Sequence, residues 1–132
     1  MNALSGVAAA AILFGFLFTG FWWSLNRELT FKVPDRHFKP GYALLFLSVA
    51  LVGYFGLIAP LREAAQEVVR EQAALKYTYY GVTLGIVAVV GYMFTEFAHY
   101  SIFQRPKYTT PLEWVFTALT AIVLALLALL FF

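Results

Sequence analysis

The stretch from Trp114 to Phe132 reads WVFTALTAIVLALLALLFF, nineteen residues without a charge. A helix needs about 20 apolar residues to cross the roughly 30 Å hydrocarbon core of a bilayer. Lipid offers the backbone no water, so a spanning segment is a helix or part of a closed barrel. The strict apolar–polar alternation of a barrel strand is absent, which leaves a helix.

Three further runs repeat the pattern. Ala3 to Leu25 and Tyr42 to Ala59 carry no charge, and Tyr77 to Tyr100 carries one acid, Glu96, and one histidine, His99. The expected fold class is therefore all-α: an integral membrane protein with four transmembrane helices in one domain covering residues 1–132. Ala3–Leu25 lacks a basic leading region and a small-residue cleavage site, so it reads as a retained helix rather than a signal peptide.

Composition agrees. Hydrophobic residues make up 62% of the chain and charged residues 12%, against about 25% charged in soluble domains. A chain of 132 residues has too little interior to hide that much apolar surface from water. Cysteine is absent, which excludes disulfides, thiol catalysis and thiolate metal sites. The net charge of +2 is spread over three loops and gives no basic stripe for nucleic acid.

The boundaries carry local signals. Thr110-Pro111-Leu112-Glu113 fits a capping box, with Thr110 as N-cap, Pro111 at N1 and Glu113 reaching back from N3. Lys39-Pro40-Gly41 marks the entry to the second helix. Trp22, Trp23 and Trp114 lie near run ends, as interfacial aromatics do. After Pro60, the apolar Leu61, Ala64, Ala65, Val68 and Val69 alternate at helical spacing with Arg62, Glu63, Glu67, Arg70 and Glu71. That predicts an amphipathic connecting helix. It either lies in the interface or extends the third helix into a rod of about 40 residues, roughly 60 Å at 1.5 Å per residue.

The loop from Asn26 to Gly41 holds Arg27, Lys32, Arg36 and Lys39, and the loop from Ser101 to Pro111 holds Arg105 and Lys107. The opposite side holds Arg62, Arg70 and Lys76. Six bases against three predict cytoplasmic first and third loops and both termini on the non-cytoplasmic side. The four bases of the first loop are candidate contacts for lipid phosphates or a partner.

Among residues that carry chemistry, Glu96 and His99 stand first, because an ionisable group in a membrane helix is a functional candidate by default. Their i, i+3 spacing puts them on one helical face. Tyr92 lies one turn earlier on that face, and Tyr100 follows. Together these four form a candidate contact for a quinone or pigment, beside the simpler reading of an interfacial Glu–His pair. Glu96-Phe97-Ala98-His99 also matches the Glu-x-x-His of di-metal bundles, but that chemistry needs a second copy of the motif. Heme would need His37 with His99, and His37 falls in a loop between Pro34 and Pro40. Gly81 and Gly85 form a small-xxx-small pair that packs helices within the chain or against another chain.

No hydrolytic triad, phosphate loop or metal cluster is legible, so a non-enzyme is the first reading, and an enzyme or redox subunit using Glu96 and His99 on a quinone, heme or metal stands as a third reading. Scarce polar chemistry and minimal extramembrane mass point to an accessory subunit of a larger membrane complex, respiratory or photosynthetic. Its partners would be the bilayer and other membrane subunits in a bacterial inner membrane or another energy-transducing membrane. It would bring no cofactor of its own, a quinone, pigment or heme lying at a shared interface. The alternative is a small homodimeric transporter with Glu96 as the proton-coupling acid.

Overall fold

The computed structural model describes residues 3–30, 39–64, 71–102 and 111–132. Among the described residues every regular element is helical: α1 (Ala3–Leu29), α2 (Pro40–Leu51), a π-helical segment (Val52–Ile58), α3 (Ala59–Ala64), α4 (Glu71–Glu96), a second π-helical segment (Phe97–Ile102) and α5 (Pro111–Phe131). Four spans are long and apolar enough to cross a membrane: Leu4–Leu29, Pro40–Glu63, Gln72–His99 and Pro111–Phe131. The shortest has 21 residues, about 32 Å at 1.5 Å per residue.

The second span differs from expectation at Pro60. Proline lacks an N–H, and its ring presses on the carbonyl four residues back. A break there would begin a separate amphipathic helix. Instead the helix runs through Pro60, because the chain widens into a π turn just before it. The Ala59 N–H donates to the Tyr54 carbonyl, five residues back rather than four. The described part of the expected connecting helix, Leu61–Ala64, thus continues the second span, and residues 65–70 lie outside the described residues. A 40-residue rod is also ruled out, because α3 packs against α4.

The centre of the bundle is α4. It packs on α1, α2, the first π segment, α3 and α5, whereas α1 and α5 do not meet among the described residues. Close approach comes from small residues. A Cβ on Gly81 would lie 2.8 Å from the Gly56 backbone nitrogen and 2.8 Å from Phe55 Cβ. A Cβ on Gly56 would lie 2.9 Å from Ala10 Cβ, and one on Gly85 would collide with Val52. Gly81 and Gly85 are therefore buried against the second span of their own chain, where the intramolecular alternative puts them. Gly15 and Gly20 face open space.

Apolar side chains also cover the outside. Phe16, Trp23, Leu129 and Leu130 are each more than 70% exposed, and only 6% of the most apolar window of the fourth span is buried. Soluble proteins rarely expose contiguous apolar patches beyond a few hundred Å². Hydrocarbon is the solvent that suits this surface.

Candidate functional site

Polar side chains from α1, α2, α4, α5 and the second π segment gather at one end of the bundle. Gly41 sets the approach there, since a Cβ at that position would run into Thr95. The start of α2 can therefore lie directly on α4, and this brings Lys39 to Glu96. Lys39 Nζ donates to Glu96 Oε1 at 3.1 Å, and Arg27 Nη2 donates to Glu96 Oε2 at 3.0 Å. One carboxylate thus fastens the end of α1 and the entry to α2 onto α4.

Two hydroxyl-mediated bonds flank this triad. The Ser24 and Tyr92 hydroxyls lie 2.8 Å apart, joining α1 to α4. The Tyr42 hydroxyl donates to Glu28 Oε2 at 2.8 Å, joining α2 to α1. Lys39 Nζ also sits 4.7 Å from the centre of the Tyr42 ring, within cation–π range. Arg27 and Lys39 are balanced by Glu28 and Glu96, so the cluster is formally neutral.

Lys39 is only 1% exposed. Burial pushes its ammonium below the usual lysine range, while the Glu96 charge and hydrogen bond and the Glu28 charge pull it back up. Removal from water outweighs the attraction, the general pattern for buried ion pairs.

The expected Glu96–His99 face divides. The second π segment begins at Phe97, and its wider turn advances each residue by a smaller angle than an α turn. Glu96 is directed to α1 and α2. His99 Nδ1 instead lies 2.9 Å from Glu113 Oε2 on α5, with both residues at most 2% exposed. The Glu113 carboxylate thus meets His99, and Thr110, the expected N-cap of the capping box, lies outside the described residues.

Of the other expected site residues, Tyr92 joins the network, and the Tyr100 side chain lies outside the described part. Arg27 and Lys39 point inward to Glu96. Lys32, Arg36 and His37 lie outside the described residues. No group of three or more metal-ligating side chains occurs among the described residues. The Glu-x-x-His pattern is split between two cations and Glu113.

Sequence reasoning missed four participants: Ser24, Glu28, Tyr42 and Glu113 as the partner of His99. Ser24 and Glu28 carried a signal, one turn apart at the charged end of an apolar run. Tyr42 and Glu113 take their roles from helix packing, which no local pattern encodes. No family model, curated protein or solved structure matches this chain.

Proposed function

We propose that this chain is a non-catalytic packing subunit of a larger membrane complex in an energy-transducing membrane. The observation that carries the reading is the direction of its chemistry. The ionisable and hydroxyl groups at the charged end are used to join helices to one another. The flanking helices α1 and α5 turn long apolar faces outward, with Ile12, Phe16 and Trp23 on one and Leu119, Ile122 and Leu126 on the other. Such faces suit apolar neighbours, whether lipid or the helices of other subunits, and make no demand on a soluble substrate. Both termini lie on the non-cytoplasmic side in this reading, following the six-to-three excess of bases at the opposite end.

The carrier reading places a heavier demand on Glu96. It asks the residue that joins three helices to give up those bonds in every transport cycle. The test of the subunit reading is mild detergent extraction from native membranes with a tag at Met1, followed by native mass spectrometry and an absorption spectrum. Stoichiometric recovery within a larger assembly, with heme or pigment absorption, is the expected result. Recovery of the chain alone or as a colourless homodimer would overturn it.

A further inference from the structure

The π turn before Pro60 leaves an acid in an unexpected place. The polar positions after the proline predict a wet face for Glu63, but the second span runs on through Pro60. α3 packs chiefly on α4, and Ala59 and Glu63, one turn apart, share its buried face. Leu61 and Arg62 are exposed. Glu63 Oε2 is enclosed and has no hydrogen-bond partner among the described residues. We propose that the Glu63 carboxylate is an assembly contact that receives a lysine or arginine side chain from a neighbouring membrane subunit. This rests on the subunit reading above and gives that partner a chemistry.

The described donors around Glu63 are committed elsewhere. On α4, the Thr78 hydroxyl donates to the Ala74 carbonyl of its own helix at 3.1 Å. Lys76 Nζ lies over the Tyr80 ring, 5.7 Å from its centre. The described part of α1 carries no charge before Arg27, at the opposite end of the bundle. Glu96, by contrast, holds two cations of its own chain.

A buried carboxylate oxygen without a donor is costly, and acids within membrane spans pair with bases. One carboxylate is enough for a single ammonium or guanidinium, which bonds it with charge assistance. A metal ion asks for more, and no group of three or more metal-ligating side chains occurs among the described residues. The way in is narrow but open, since 8% of Glu63 stays exposed. Ile58 and Leu61 beside it are exposed apolar residues, the surround that keeps water from a charged contact between helices.

The chain tagged at Met1 and its Glu63→Gln variant would each be extracted from native membranes in mild detergent and weighed by native mass spectrometry. Both would also be expressed alone and melted. Recovery of Glu63→Gln in the larger assembly should fall about tenfold, as when one member of a buried charge pair is removed. Glu63→Asp, which keeps the charge, should restore part of it. Expressed alone, Glu63→Gln should melt at or above the wild-type temperature, because the bond it lacks belongs to the complex. Full assembly of Glu63→Gln beside assembled wild type would overturn the proposal and leave the subunit reading standing. A lower melting temperature of Glu63→Gln alone would overturn it too, by assigning the acid to a bond within the chain. Wild type recovered in no assembly would overturn the subunit reading, and this contact with it.

Discussion

Lys39 Nζ and Glu96 Oε1 lie 3.1 Å apart although 57 residues separate them in sequence. The two members of this pair are not equivalent. Glu96 answers two cations, whereas Lys39 is the one most deeply removed from water. Arg27 remains beside Glu96 when Lys39 is taken away, but both cations lose the Glu96 charge when that residue is neutralised.

Lys39→Met should accordingly change stability little, by less than about 1.5 kcal/mol. An apolar side chain of similar length replaces an ammonium whose burial already works against it. Thermal unfolding in detergent, followed by fluorescence of Trp22, Trp23 and Trp114, measures this.

The same group sets a pH dependence. The folded state holds the Lys39 proton less tightly than the unfolded chain, where the ordinary value is 10.5. Between the lowered folded value and 10.5 the unfolded state binds more protons, so this group's contribution to stability rises with pH. Wild type should gain stability relative to Lys39→Met as pH climbs toward 10.5. Melting temperatures of the two proteins across that range should show the difference, and parallel curves would contradict it.

Gly81→Ala should destabilise the protein by about 1–3 kcal/mol, the usual cost of overpacking. Its methyl would press on the Gly56 backbone, which cannot swing aside as a side chain can. Gly15→Ala meets open space and should be neutral or stabilising by up to about 1 kcal/mol from helix propensity. The contrast, read by thermal unfolding, separates contacts within the chain from contacts with a partner.

Glu113→Gln weakens the buried bond that joins the second π segment to the start of α5. Hydrogen exchange should accelerate in the first turns of α5 and leave α1 and α2 unchanged. Uniform acceleration across all four spans would contradict a local fastening role.

Orientation is testable because the chain has no native cysteine. In intact cells, a membrane-impermeant thiol reagent should label Gln72→Cys and miss Thr30→Cys until the membrane is opened. The reverse pattern would place the charged end outside.

The four spans were legible because hydropathy is a local property, readable from runs such as Trp114–Phe132. Pro60 was not, because a sequence shows the missing N–H but not the π turn that accommodates it. In the site, Glu96 and His99 stood out as ionisable groups in an apolar run. Their partners did not, since Lys39 reaches Glu96 only through the contact of Gly41 with Thr95. His99 turns to Glu113 only because the helix widens at Phe97. Lys39 read as a loop base, because burial at a helix entry is decided by a neighbouring helix.

The most direct test of the claim that Glu96 is a structural counter-ion is the melting of purified Glu96→Gln. The amide keeps the size of the side chain and removes its charge, so Arg27 and Lys39 lose the carboxylate that joins them. A loss of about 3–5 kcal/mol, as for other broken buried pairs, is the expected result. It should be partly recovered when Lys39→Met is added. Unchanged stability together with loss of proton-coupled uptake in vesicles would contradict the account and make Glu96 the working acid of a carrier.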